Sequence, residues 1–209
     1  MPNKTSYHHG DLRQALLDAA LTLLKTQPIE KLSLRGVAKQ AGVSHTAPYR
    51  HFEDKAALLA AVAEEGFTEF GQYLTQAVEQ AEADPVESLI ATGEAYVRFA
   101  VEHSTHFRVM FSHFPAAPIP GSTLPETATG TFQILVDIIA AGQAQGVFKA
   151  GEPETMAIGR WALAHGLAML LLDGMLGNPK EPNCDPEYEP LVKATLTSSL
   201  AGIASGIGQ

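Results

Sequence analysis

The sequence predicts an all-α fold of about nine helices. Apolar residues recur at helical spacing along most of the chain, and no stretch alternates apolar and polar residues for long enough to predict a strand. Prolines, glycines and capping residues separate these apolar stripes at intervals that suit helices. The 209 residues are 45% hydrophobic and 18% charged, which is typical of a soluble globular protein with a buried core.

Two helices are predicted before residue 43. The first ends before Pro28 and carries an apolar stripe made of Leu12, Leu16, Ala19 and Leu23. The second follows Ser33, which can cap its amino terminus, and stops at Gly42. Its apolar positions are Leu34, Val37, Ala38 and Ala41.

Two more helices complete a predicted amino-terminal domain. A short third helix runs from Ser44 through Tyr49, and Asp54 caps a long fourth helix. The buried face of the fourth helix is predicted from Leu58, Leu59, Val62, Phe67, Phe70 and Leu74. We assign residues 1–60 to this domain, with the fourth helix continuing to about residue 82.

A second domain is predicted over residues 61–209. Asp84 and Pro85 open its first helix, because proline is favoured at the first helical position. Helices are expected near residues 85–102, 105–113, 126–145, 153–176 and 187–206. Two segments with four prolines each, residues 113–126 and 177–190, are expected to be surface loops.

Composition limits where the protein acts. The amino-terminal residues lack an apolar run of signal-peptide length, and Cys184 is the only cysteine, so we expect a reducing cytoplasm. The richest apolar stretch, Trp161 to Leu172, suits a buried helix better than a bilayer span, so we expect no membrane partner.

Charge is distributed unevenly along the chain. The net charge is −9, yet residues 1–52 hold seven lysines and arginines against three acids. A basic amino-terminal segment on an otherwise acidic chain indicates polyanion binding at that end, since phosphates are neutralised by the cations near them and not by the net charge of the whole protein.

The second and third predicted helices form a helix-turn-helix. Ala38 is small enough for two helices to cross closely, and Gly42 suits the sharp turn between them. The third helix of such a unit lies in the major groove of DNA. Its hydroxyl, aromatic and cationic side chains suit base edges and phosphates. The candidate DNA-binding residues are Ser33, Arg35, Ser44, His45, Thr46, Tyr49, Arg50, His51 and Lys55. The alternative for the aromatic pair Tyr49 and Phe52 is an ordinary place in the core.

Residues 32–62 resemble the DNA-binding domain of the TetR family of transcriptional repressors. The pattern is an A-x-x-x-G-V-S turn followed by Y-x-H-F and a lysine. The matching positions are Ala38, Gly42, Val43, Ser44, Tyr49, His51, Phe52, Lys55 and Leu58. Pro48 departs from the leucine or isoleucine of many members and is expected to leave the third helix short.

The carboxyl-terminal domain resembles a TetR subgroup named for a Trp-His-Gly pattern, here Trp161, His165 and Gly166. In that family this domain dimerises and holds a small-molecule effector. The helix from Ala162 to Leu172 is apolar on nearly every side, which also favours a homodimer; burial within one subunit is the alternative. A second apolar stripe, on the last helix, is formed by Val192, Leu196, Leu200, Ile203 and Ile207.

A largely apolar ligand site with a few polar groups is expected in this domain. Its candidate residues are Tyr96, Phe99, His103, His106, Phe107, Met110, Phe111, Trp161 and His165. Each of them is equally compatible with plain core packing. We expect no metal and no cofactor, because no cysteine or carboxylate lies at a matching short spacing from the histidines.

The resemblance implies a homodimeric, one-component regulator, a repressor of a near-palindromic operator that a ligand releases. The other candidates are a helical enzyme and an adaptor that binds only protein. The sequence contains none of the common hydrolase, metalloprotease or phosphate-loop motifs, and an adaptor leaves the basic amino-terminal segment unexplained.

Overall fold

The computed structural model describes residues 9–112, 119, 121–176 and 188–204. Within these residues the chain contains eight α-helices and three short 3₁₀ turns, and the only extended pairing is an isolated bridge between Phe148 and Ala204. The helices are α1 (His9–Leu24), α2 (Leu34–Gln40), α3 (Lys55–Gln80), α4 (Pro85–Glu102), α5 (Ser104–Ser112), α6 (Leu124–Ala144), α7 (Pro153–Leu172) and α8 (Tyr188–Ser198). The predicted all-α class is confirmed.

The chain divides into two compact units. The head unit comprises Met1–Gly66 and Thr105–Pro125, and the body unit comprises Phe67–Ser104 and Glu126–Gln209. The head therefore includes a later piece of the chain that lies far from the DNA-binding motif in sequence. The assignment of functions to residues 1–60 and 61–209 stays a prediction.

In the head unit, the predicted start and stop signals of α2 are confirmed. The Ser33 side chain accepts a hydrogen bond from the backbone N–H of Gly36 over 3.1 Å, which satisfies one of the free donors at the helix start. Gly42 ends the segment with a φ of +70°, a left-handed conformation that glycine adopts without steric cost. Val37 and Ala38 are fully buried between these signals.

The predicted third helix is wrong as an α-helix. The chain from Ser44 forms turns and then a 3₁₀ turn at Pro48–Arg50. Pro48 has no N–H to donate to the Ser44 carbonyl, and that carbonyl instead accepts from the Ala47 N–H at 3.0 Å. Proline therefore replaces the α-helical bonding with turns that close one residue earlier.

The long α3 begins as predicted. The Asp54 carboxylate accepts from the N–H of Ala57 at 2.8 Å and caps the helix. In the head unit, its apolar face buries Leu58, Leu59 and Val62. The body part of α3 buries Phe67, Phe70 and Leu74, so all six predicted core positions are confirmed.

The body unit begins with α4, for which both predicted signals are confirmed. Asp84 accepts from the N–H groups of Val86 and Glu87, and Pro85 occupies the first turn. The body core is a cluster to which α4, α6 and α7 contribute, together with the chain that follows α6 and the chain that follows α8. Its buried members are Leu89, Val136, Ile138, Ile139, Phe148, Ala157 and Ile203.

The last predicted helix is shorter than expected. α8 ends at Ser198, and a 3₁₀ turn, Ser199–Gly202, follows. After this turn the carbonyl of Ile203 accepts a hydrogen bond from the N–H of Lys149, beside the bridge between Phe148 and Ala204. Ile207, the last predicted stripe position, lies outside the described residues.

Half of the first predicted proline-rich loop, residues 113–126, and most of the second, residues 177–190, lie outside the described residues. Where they are described, their ends are helical, since α6 begins at Leu124 and α8 at Tyr188.

Candidate DNA-binding surface and ligand site

The head unit exposes most of the predicted DNA-binding residues. Those exposed to solvent are Ser33, Arg35, Ser44, His45, Thr46, Tyr49 and Arg50. The aromatic side chain of Tyr49 is 55% exposed. We call residues 44–50 the readout segment. Pro48 within the segment and Phe52 just after it are buried, so the core anchors the segment while its polar side chains face outward.

The predicted alternative, in which Tyr49 and Phe52 are both core residues, applies to only one of them. Phe52 is 3% exposed, and the guanidinium of Arg13 lies 5.7 Å from the centre of its ring. Tyr49, three residues earlier, points out of the fold. Arg13 was absent from the predicted site, and a partner 39 positions away in the sequence gives no local signal for such a contact.

Two predicted DNA-binding residues, Lys55 and His51, are less exposed than the others. Lys55 donates from Nζ to the backbone carbonyl of Glu30 at 3.0 Å, which ties the start of α3 to the 3₁₀ turn at Ile29–Lys31. His51 is half-buried, and within the described residues its Nε2 has no hydrogen-bond partner. Contacts of these two residues with DNA stay predictions.

The body unit joins three of the predicted ligand residues by hydrogen bonds. The indole N–H of Trp161 donates to the hydroxyl oxygen of Tyr96 at 3.1 Å, and that hydroxyl lies 2.9 Å from Nδ1 of His165. Trp161 and His165 are four residues apart on α7 and so lie on one face of the helix, toward α4. Because an indole N–H can only donate, Tyr96 keeps its own proton available for His165.

Burial shifts the acid–base properties of this network. The Tyr96 side chain is 5% exposed, and burial raises the pKa of its phenol above the ordinary range. Burial also lowers the pKa of the His165 imidazole, which favours the neutral ring. A neutral imidazole can accept a hydrogen bond from Tyr96, whereas an imidazolium cannot.

Family models match both parts of the chain. Residues 16–62 match the model for bacterial regulatory proteins of the tetR family, and residues 89–195 match that for the tetracyclin repressor-like C-terminal domain. The second match alone spans more than half of the chain. The chain belongs to the TetR family. It is therefore a transcriptional regulator with a DNA-binding helix-turn-helix.

Curated relatives of this regulator match over part of its length. The transcriptional regulator AcrR of Shigella flexneri is 34% identical over 89 residues, which cover 43% of this chain and 41% of that protein. SrpR of Pseudomonas putida is 37% identical over 62 residues, 30% of this chain and 29% of that protein. The matched segments thus span less than half of either relative.

Solved structures match over nearly the whole length. A Rhodococcus protein of unknown function is 35% identical, with a TM-score of 0.80 over 97% of this regulator and 100% of that chain. The TetR-family regulator PfmR of Thermus thermophilus has 21% identity and a TM-score of 0.68 over 88% and 95% of the two chains. The second likeness shows the fold alone.

Two further predicted ligand residues of the TetR regulator lie in a second cluster of the body unit. The rings of Phe99 and His103 stack with centres 4.9 Å apart, and Phe99 is fully buried. Nε2 of His103 lies 3.0 Å from the Tyr73 hydroxyl, which donates to Glu102 at 2.7 Å. The bond to Glu102 raises the pKa of Tyr73 to about 12.

The remaining ligand candidates belong to the head unit. Phe107 and Met110 are buried there, and the ring centre of Phe107 lies 4.8 Å from that of Phe111. Nε2 of His106 lies 3.6 Å from a carboxylate oxygen of Glu65. The His106 ring holds the pKa of Glu65 below its ordinary value.

The Trp-His pair of the predicted subgroup thus has a visible structural role in this regulator, because it fastens α7 to α4 through Tyr96. Membership of the subgroup and ligand contact by Trp161 or His165 stay predictions.

Proposed function

We propose that the regulator is a homodimeric repressor that acts in the cytoplasm and releases a near-palindromic operator when a small, largely apolar ligand binds the body unit. The exposed, polar readout segment after the Gly42 turn is the observation that carries this proposal. The proposal gives the chain no catalytic step, in line with relatives that are themselves named as transcriptional regulators.

DNA contact is assigned to two groups of side chains. Arg50, Tyr49 and Thr46 supply hydrogen-bond donors for the acceptors on base edges. The ring of Tyr49 also offers apolar contact area. Arg35, exposed near the start of α2, suits a phosphate, because its guanidinium can form charged hydrogen bonds to phosphate oxygens. The acidic body does not oppose this, since phosphate attraction depends on local charge.

The dimer is assigned to α7. Within the described residues α7 is the one helix whose length and apolar composition would also fit a membrane span, yet little of it is buried in the single chain. Its exposed large side chains are Ile158 (53%), Trp161 (39%) and Leu170 (44%), and Leu191 on α8 is exposed to the same degree as Leu170. A second copy of the chain would cover these apolar surfaces. The two head units would then be related by a two-fold axis, and each could bind one half of a palindromic operator.

The ligand is assigned to the body unit around Tyr96, Trp161 and His165. A few hydrogen-bonding groups in apolar surroundings are what a small-molecule site requires. A ligand that breaks the Trp161–Tyr96–His165 bonds would favour one conformation of the dimer over another. Switching from mostly bound to mostly free DNA requires a differential affinity of about 5.5 kcal/mol.

The decisive test is DNA binding by the purified protein. Duplexes from the region upstream of its own gene are titrated in a mobility-shift assay at several salt concentrations. Arg50→Ala should weaken binding by about 5- to 150-fold, the worth of one good bidentate base contact. Arg98→Ala removes the same charge from an exposed position of the body and should leave affinity unchanged. Equal behaviour of the two variants would contradict the site.

Ligand binding has a built-in reporter. Trp161 is the only tryptophan of the chain, so its fluorescence reports on the body unit alone. Apolar compounds that change this emission should also release DNA, and Trp161→Phe should abolish the optical signal. Compounds that release DNA without any effect on Trp161 would place the ligand elsewhere.

A further inference from the structure

The readout segment differs from an α-helix in the way it arranges its side chains. Hydrogen bonds that span three residues join Ala47 to Ser44, Arg50 to Ala47 and His51 to Pro48. With about three residues per turn, side chains three apart share a face, whereas in an α-helix those four apart come closest.

Three-residue turns place His45, Pro48 and His51 in one row. Within that row His45 is exposed, Pro48 is buried and His51 is half-buried. Thr46 and Tyr49 are both exposed and form the next row, and Arg50 is exposed on the third. An α-helix would instead pair His45 with Tyr49.

We propose that Pro48 is a specificity-determining residue: it holds the readout segment in three-residue turns, so that Thr46, Tyr49 and Arg50 read base edges while His45 contacts only a phosphate. The inference rests on the proposed DNA-binding function and names which side chains carry its sequence preference. Its physical cause is the missing N–H of proline, which leaves the Ser44 carbonyl to the N–H of Ala47.

The side chains that result have distinct chemistry. The Thr46 methyl and hydroxyl suit thymine or a donor on an adjacent base, and Arg50 can make two bonds to guanine. Tyr49 lies between them in the exposed rows and offers a ring edge and a hydroxyl. His45 is exposed as well, but it lies in the row of the buried Pro48 and not in the rows that carry Thr46, Tyr49 and Arg50.

The test is selection from a pool of random duplexes by the full-length protein, followed by affinity measurements on the enriched sequence and on unrelated DNA. Wild-type protein should enrich one motif. Thr46→Ala should relax the preference at one base position, reducing discrimination there by about 5-fold or more. His45→Ala should weaken binding by a similar factor on every sequence and leave the enriched motif unchanged.

Pro48→Ala restores the N–H and permits an α-helical turn. It should enrich a different motif while its affinity for unrelated DNA stays within about two-fold, because phosphate contacts carry that affinity. Pro153→Ala, which removes a proline from the start of α7, is the matched control and should keep the wild-type motif. Thermal unfolding verifies that each variant is folded.

Three outcomes overturn the inference. The first is enrichment of the wild-type motif by Pro48→Ala, and the second is a changed motif in His45→Ala with an unchanged one in Thr46→Ala. Both contradict the role of Pro48 and leave the regulator a DNA-binding protein. If wild-type protein enriches no motif, the proposed function fails and the inference fails with it. His45→Ala and Thr46→Ala alter exposed side chains, so they decide the matter even where Pro48→Ala unfolds.

Discussion

The readout segment of the head and helix α7 of the body both expose large side chains, but the two surfaces are chemically opposite. Around Tyr49 the exposed neighbours are Thr46 and Arg50, which offer hydrogen-bond donors. On α7 the exposed side chains include Ile158 and Leu170, which offer only apolar area. The first surface suits a hydrated polyanion, and the second suits an apolar protein surface.

Of the changes considered, a higher salt concentration should have the largest effect, and it should weaken DNA binding but not dimerisation. Raising salt from about 50 to 200 mM should reduce DNA affinity by about 10³-fold if each dimer neutralises about six phosphates, because bound cations displace counterions. The dimer should persist, since burial of apolar area is not screened by salt. Fluorescence anisotropy of labelled DNA and sedimentation of the protein alone measure the two effects. A dimer that dissociates in step with DNA loss would contradict the distinction.

A charge on α7 should have the next largest effect. Leu170→Glu places a carboxylate on the apolar surface and should weaken the dimer by about 2 kcal/mol or more, roughly a 30-fold change in dissociation constant. Sedimentation velocity across a concentration series measures the shift. Gln76→Glu adds the same charge to an exposed position of α3 and should have no effect. An unchanged dimer in Leu170→Glu would move the interface away from this face of α7.

Glycine substitutions test how tightly each unit is packed. A Cβ at Gly142 of α6 would overlap the buried ring of Phe148, so Gly142→Ala should lower the free energy of unfolding by about 1–3 kcal/mol. At Gly66 of α3 a Cβ would lie 2.7 Å from Sδ of Met110, whose flexible thioether can move aside, so Gly66→Ala should cost less.

Gly130 of α6 provides the control for these two variants. A Cβ there meets nothing within 4 Å, so Gly130→Ala should stabilise the protein by up to about 1 kcal/mol through helix propensity. Urea unfolding of all three measures the order. If Gly142→Ala is as stable as Gly130→Ala, then Phe148 does not pack rigidly against α6.

Lowering the pH should destabilise the body unit through His165, and we expect this effect to be smaller than those of salt, Leu170→Glu and the glycine substitutions. Burial lowers the folded-state pKa of His165 below its ordinary value of 6.5. The unfolded chain therefore binds more protons as the pH falls through about 6.5, and stability decreases below that pH. His165→Gln should flatten this part of the profile of unfolding free energy against pH. An unchanged slope in the variant would assign the acid sensitivity to another group.

Local signals in the sequence predicted most of the fold. Ser33, Asp54 and Asp84 cap the helices that they were expected to cap, and Gly42 adopts the left-handed turn. These features depend on a few consecutive residues, because a cap or a turn is made of atoms close in sequence. The family could be recognised for the same reason, since its motif lies within one short stretch of the head.

Features that depend on distant contacts were predicted less well. The readout segment was expected to be a short α-helix, although Pro48 already indicated the interruption. α8 ends earlier than predicted, and the chain beyond it bonds to Lys149 through Ile203, a contact that no local pattern reveals. The division of the chain into two units likewise depends on distant contacts: His106, Phe107 and Met110 belong to the head unit, and their contact with a ligand stays a prediction.

The amino-acid order was sufficient to predict the caps, the family and all helices but the third, because backbone conformation and apolar periodicity are set by neighbouring residues. Which side chains meet depends on the complete fold: Trp161 and His165 bond the same Tyr96 hydroxyl, Lys55 holds the carbonyl of Glu30, and α7 keeps apolar side chains exposed. Hydrogen bonds of this kind require atoms brought within about 3 Å from positions far apart in the chain, and only packing of the whole fold sets such distances.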